Sequence, residues 1–462
     1  MMRFYYFIAY AAVAFAQNIY IHTQGPPARP YCTGAPVKRG AVNNEPSYRF
    51  SEFSYTLTET VRTASSVTPS SLPTYGPSYA AVKHLLPNIS STSWGNWYPN
   101  AVPTATDTEN PYGQAAFSSL WDNLNPQGFT RGLYSTTVSP SAVPTTELVL
   151  PPPLYFGPRD CYSFPKQFVF GVSGAAAQVE GAVADEGRSP AIPEVFPRAA
   201  GSLGLSDYEN DYTATENYYL YKQDIGRLAA MGVRYYSFSV AWTRILPFAV
   251  PGSPVNLEGL KHYSDLIDFA IEKGIQPIIT LHHFDTPAQF LGANYTALTE
   301  RAYFGRVNYG YQNETFADAF VNYGKIVMSH FADRVPIWMT FNEPQIGCVS
   351  GVAIDSVIKS HARLYHFYKD ELQGKGQVSM KMGSSPGIPQ MPSNNSHVAA
   401  ARHYNDFNIG TFLYPLALGK DYPVAYKMTI QDHVPLTKQD LSYLNKTLGM
   451  CAQPFYNDEV LS

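Results

Sequence analysis

Charge is scarce in this chain. Asp, Glu, Lys and Arg make up 15% of its 462 residues, where about 25% is usual for globular proteins. The formal net charge is −4, and no Lys/Arg cluster occurs, so nucleic acid binding has no electrostatic basis. Cysteine is scarce too. Cys32, Cys161, Cys348 and Cys451 are widely scattered, with no CxxC and no His/Cys cluster, so no metal site is expected. No cofactor is implied. Beyond the first residues, no apolar run reaches the ~20 residues that cross a bilayer.

The start is different in kind. Arg3 precedes an apolar run from Phe4 to about Val13, followed by Ala14-Phe15-Ala16. The run is too short to span and ends on the small residues that a signal peptidase reads. A signal peptide over residues 1–16 is expected, and with it a secreted, extracellular protein that keeps no membrane segment after cleavage. Five sequons fit export: Asn88-Ile-Ser, Asn294-Tyr-Thr, Asn313-Glu-Thr, Asn394-Asn-Ser and Asn445-Lys-Thr;.

Residues 17–160 are rich in Ser, Thr, Pro and Tyr and sustain no apolar period. Such composition buries too little surface to offset the entropy of ordering. It reads as a low-complexity, largely disordered extension of the kind that is O-glycosylated in exported stalks and associated with cell walls. The aromatics at Trp94–Tyr98 and around Trp121 can form a small ordered patch. Pro151-Pro152-Pro153 marks a stiff boundary.

From Cys161 to Ser462 the pattern alternates. Strands are predicted at 168–172, 233–240, 275–281, 336–341 and 377–382. Helices are predicted at 216–231, 258–273, 316–331 and 361–372, with Gly232 and Gly274 closing the first two;. Apolar strands alternating with helices imply a parallel α/β sheet. No phosphate-binding glycine pattern follows the first strand, which argues against a dinucleotide fold. In a β/α barrel the reactive residues follow strand C-termini. His283 and Asn342-Glu343 stand in that position.

Four blocks then resemble glycoside hydrolase family 1, the retaining β-glucosidases. They are Phe168 to Ala182 (FVFGVSGAAAQVEGA), Phe238 to Pro247 (FSVAWTRILP), Leu281 to Pro287 (LHHFDTP) and Thr340 to Pro344 (TFNEP). Asp421-Tyr-Pro423 resembles a fifth. The chain is thus similar to a secreted, fungal-type member with an N-terminal extension. The resemblance implies an incomplete (β/α)8 TIM barrel, with about five of eight strands. No counterpart of the family's sixth-strand, nucleophile-strand or carboxyl-terminal sugar-binding blocks is found in residues 424–462.

Retaining glycosidases use two carboxyl groups about 5–5.5 Å apart. The resemblance assigns Glu343 as the acid/base, its pKa raised partly by the nucleophile's charge. It assigns Asn342 to the sugar 2-hydroxyl, and Gln178 and His283 to other hydroxyls of a β-linked glucoside or oligosaccharide. Three positions depart from the pattern. Ala177 replaces an aromatic, Asn or His, Phe284 replaces Trp, and Ser237 replaces the Arg that faces the nucleophile carboxylate. A chain of this make-up is expected to hydrolyse glucosides weakly or not at all, with Asp285 the first alternative nucleophile. A non-catalytic carbohydrate-binding relative and a wall or surface stalk remain the alternatives.

Overall fold

In a computed structural model, the structure describes residues 74–101, 106–126, 128–132, 171–195, 212–291, 310–348, 350–383 and 386–449. Five parallel strands form one sheet in chain order: β1 Gly171–Ser173, β2 Tyr235–Ser239, β3 Gln276–His282, β4 Ile337–Asn342 and β5 Gln377–Lys381. Parallel neighbours need a crossover, and helices supply each one. They are α2 Asn217–Ala230, α3 Leu257–Glu272, α4 Phe316–Phe331 and α5 Gly351–His366, with α1 Gln114–Leu124 lying earlier in the chain. This is the parallel sheet expected from the alternation, with the five strands of the partial barrel that the resemblance implies.

All six residues of β4 are buried, as expected of a parallel sheet whose strands are covered by helices. The core between sheet and helices is aromatic. Trp242 stacks on Tyr323 at 5.2 Å and Phe320 meets Phe341 at 4.4 Å between ring centroids. Phe316, Phe320 and Tyr323 follow one another at about one helical turn, so a single apolar face of α4 covers the strands;.

The helix predicted at 361–372 begins ten residues earlier. Ser350 caps α5 by accepting the Ala353 N–H at 3.3 Å. Ala353, Ile354, Val357, Ile358, His361 and Leu364 then form a buried helical stripe. The Gly351-Val352 start, poor in helix propensity, obscures it in sequence. The predicted strand residues 168–170 lie outside the described residues.

The described part of the extension packs. Trp94, Trp97, Phe117, Trp121 and Leu124 are buried with Val183, Ala184, Ile192, Ala288 and Leu291. The Trp121 indole N–H donates to the Arg188 carbonyl at 2.9 Å. Residues 74–132 therefore belong to the same compact unit as the strands, although composition placed a boundary at 160. A few large aromatics suffice here, each burying about 150–250 Å², and they are the ones at Trp94, Trp97 and Trp121 where an ordered patch was expected within an otherwise low-complexity stretch.

At the other end, the Gly449 N–H donates to the Val378 carbonyl at 2.9 Å, and His361 Nε2 lies 3.1 Å from the Thr447 carbonyl. The segment 445–449 thus covers part of the outer edge of β5, a site where unpaired backbone would invite association. Among the described residues no helix is long and apolar enough to cross a membrane.

Candidate active site

The carboxyl ends of β1 and β2 are joined by a buried ion pair. Arg244, fully buried, donates from Nε to Glu180 at 3.2 Å. Its other nitrogens reach the carbonyls of Gly181, Ala182 and Asp185 at 3.3–3.4 Å. Tyr263 of α3 donates to the second Glu180 oxygen at 2.6 Å, and the guanidinium lies 3.9 Å from the Tyr218 ring centre. Burial alone would lower the Arg244 pKa, but Glu180 and the surrounding tyrosines raise it, so the cation persists;. Sequence reading placed Glu180 and Arg244 in family blocks without assigning them a task. Their task is to hold the loops that carry the site.

At the end of β3 two adjacent histidines divide. His282 is fully buried between the Thr286 hydroxyl (2.7 Å) and the Tyr311 hydroxyl (3.3 Å). Burial and the neighbouring His283 bring its pKa down to about 3. His283 is half-buried. Burial, helped by the ammonium of Lys381, lowers its pKa to about 4. Its Nδ1 is buried without a hydrogen-bond partner among the described residues. Phe284 next in line holds a positive φ of 61°, a conformation that costs a bulky residue on the order of 1–3 kcal/mol.

Asp285 accepts the His283 N–H at 3.0 Å and is 1% exposed. Burial lifts its pKa to about 6 against that hydrogen bond and the charge of Arg188. A sealed, turn-forming carboxyl cannot attack a sugar, so Asp285 is removed as the alternative nucleophile.

At the end of β4, Asn342 is buried and Glu343 half-buried. The ladder to β5 is irregular between Met339 and Asn342, and Asn342 ends opposite Lys381. Glu343 holds φ 48° and donates its N–H to the Lys381 carbonyl at 2.8 Å. A non-glycine residue in this region is over-determined by its surroundings, a pattern found at functional sites. The carboxyl rests over Gly383, where an added Cβ would lie 2.0 Å from Oε1. The Gln345 amide donates to the Gly383 carbonyl, tying the two loops together.

The Glu343 pKa is raised, as an acid/base requires;. The cause is burial; a neighbouring carboxylate was expected to supply part of the rise. Among the described residues, the charge that acts on it is the ammonium of Lys381, which pulls the other way.

Lys381 is the residue that sequence reading missed. From the end of β5 it donates to the Ser237 hydroxyl at 2.6 Å and acts on both His283 and Glu343. Two of the four expected residues, His283 and Glu343, thus share the influence of one ammonium, and Asn342 is the neighbour of Lys381 in the strand register. A lone Lys near the end of the fifth predicted strand was the available signal, since reactive residues sit at barrel strand ends;. Gln178 stands apart. It lies on the short helix Ala176–Val179 after β1 and is exposed. That helix is anchored by the Ala176 N–H on the Ser239 hydroxyl at 2.7 Å. No hydrogen bond joins Gln178 to the other three among the described residues.

Comparison with known proteins bears on the fold and the family. The chain is 31% identical over 325 residues to β-glucosidase 24 of Oryza sativa subsp. japonica, covering 63% of this chain and 61% of that one. It is 32% identical over 314 residues to β-glucosidase 40 of Arabidopsis thaliana, covering 62% and 58%. The chain thus spans about three-fifths of the length of these relatives. Among solved structures, β-glucosidase 2 from the fungus Trichoderma reesei superposes with a TM-score of 0.55 at 27% identity, covering 62% of each chain. The β-glucosidase of the fungus Humicola insolens, in complex with glucose, gives 0.53 at 25% identity, covering 62% and 63%. Residues 161–462 match the sequence profile of Glycosyl hydrolase family 1, and the chain belongs to that family.

Proposed function

We propose that this chain carries the acid/base half of a retaining β-glucosidase site, that it binds β-linked glucosides, and that by itself it turns them over very slowly. The observation that carries this reading is Glu343: a half-buried carboxyl on a strained backbone at the end of β4, with its proton affinity raised by burial. Asn342 and His283 beside it are the hydroxyl ligands. Gln178 would bind from the β1 side.

Slow turnover rests on Ser237, which stands where the family pattern has the arginine that would keep a nucleophile ionised. Removing one member of a cooperating catalytic set commonly costs about 10⁴-fold or more. The test is release of the aryl group from an aryl β-glucoside by the purified chain. Near-background release is expected, together with weak saturable binding of glucose or cellobiose that Gln178→Ala reduces. Robust turnover abolished by Glu343→Gln would overturn the slow-turnover reading.

Export belongs to the same proposal. The signal peptide over 1–16 lies outside the described residues. The sequon residues Asn88 and Asn445 are exposed and are the sites we expect to carry glycans, with the extension over 17–160 contributing wall or surface association.

A further inference from the structure

One side chain at the site belongs to none of the family blocks. Lys381 ends β5, and its ammonium is held at 2.6 Å by the hydroxyl of Ser237, which ends the β1-facing register of β2 opposite Ser173. Its backbone carbonyl accepts the Glu343 N–H at 2.8 Å. Two residues further on, Gly383 forms the seat of the Glu343 carboxyl. Backbone bond, carboxyl seat and anchored ammonium therefore come from the three residues 381–383, packed against Glu343.

We propose that Lys381 is the positioning residue that sets the acid/base balance of Glu343, delivering from the fifth strand the positive charge that Ser237 cannot deliver from the second. The proposal deepens the glucosidase reading and rests on it for its biological meaning. An acid/base must spend part of its cycle protonated and part ionised. Burial favours the protonated form of Glu343, and a nearby ammonium favours the carboxylate. Among the groups that interact with that ammonium are Ser237 from β2, His283 from β3 and Glu343 from β4. Ser237 is uncharged, so it anchors the ammonium without neutralising it. The same charge disfavours a second cation, which keeps the imidazole of His283 neutral and able to accept a hydroxyl proton. In this reading Ser237 is one half of a relocation. The positive charge that the family pattern carries on β2 comes here from β5, anchored on Ser237.

The test is direct titration, which needs neither turnover nor sugar. Carboxyl and imidazole signals of isotope-labelled full chain are followed against pH, with Glu343 assigned by Glu343→Gln and His283 by His283→Gln. Lys381→Met is expected to move both midpoints upward, since a cation lowers both and its loss raises both. Lys381→Arg should keep both near their original values. Ser237→Arg combined with Lys381→Thr should bring both back down from the Lys381→Met values. Ser237→Ala, which releases the ammonium, should give a smaller upward move and decides the matter if Lys381→Met fails to fold. Unmoved midpoints in folded Lys381→Met overturn the proposal, as does a double variant that leaves them high. Failure to bind cellobiose with the shifts intact would instead refute the glucosidase reading and leave the electrostatic role standing.

Discussion

Arg244→Met is the sharpest test of how this half-barrel holds its site together. The substitution keeps much of the side-chain volume and removes the charge. It leaves the Glu180 carboxylate, 4% exposed, without its cation. It also strands the carbonyls of Gly181, Ala182 and Asp185. Breaking a buried pair by removing one partner costs about 3–5 kcal/mol. The Tyr263 hydroxyl still bonds Glu180 at 2.6 Å, which keeps the cost within that range. Urea unfolding of the purified chain, followed by tryptophan fluorescence, measures it, and the thermal midpoint should fall by roughly 10 °C. The partner experiment is Glu180→Gln with Arg244→Met. Glutamine keeps an acceptor for Tyr263 and carries no charge, so the double variant should recover about half of the loss. A single variant within about 1 kcal/mol of wild type, or a double variant that is simply additive, would refute the claim that the pair ties β1 to β2.

Other outcomes follow from the same contacts. Gly383→Ala should push the Glu343 carboxyl off its seat, weakening sugar binding and shifting the Glu343 titration; unchanged values for both would mean that the carboxyl sits elsewhere. Trp121→Ala should cost about 3–5 kcal/mol because the side chain is fully buried against Trp97 and bonded to Arg188; a cost near zero in urea unfolding would return the extension to a stalk. Stability should fall on acidification. His282 and His361 are fully buried with pKa values lowered to about 3 and about 4, both chiefly by burial. The folded state therefore binds fewer protons than the unfolded one, and stability present above about pH 6.5 is lost toward pH 4. At pH 4.5 the two imidazoles cost up to about 5 kcal/mol relative to pH 7. Asp285, with its pKa raised to about 6 by burial, acts with opposite sign, favouring the fold as pH falls, and returns about 2 kcal/mol. Equal urea midpoints at pH 4.5 and pH 7 would contradict the neutral burial of these histidines.

The sequence by itself determined the sheet. Runs such as IQPIITL and PIWMTF are apolar on both faces and separated by helices with a 3.6-residue apolar face;, and that pattern admits little besides a parallel α/β layer. It also placed His283, Asn342 and Glu343 at strand ends, where a barrel keeps its chemistry. Three matters were left to the tertiary structure. Whether Asp285 was available depended on what covered it, and the sequence allowed Trp94, Trp97 and Trp121 an ordered patch without showing that Val183, Ile192 and Leu291 would cover it. Lys381 became part of the site because strand register sets Asn342 opposite it and brings Ser237, 144 residues earlier, within 2.6 Å of its ammonium. Periodicity is local, so each strand and helix was legible. Burial and electrostatics depend on neighbours distant in the chain, and only the packed sheet decides who those neighbours are.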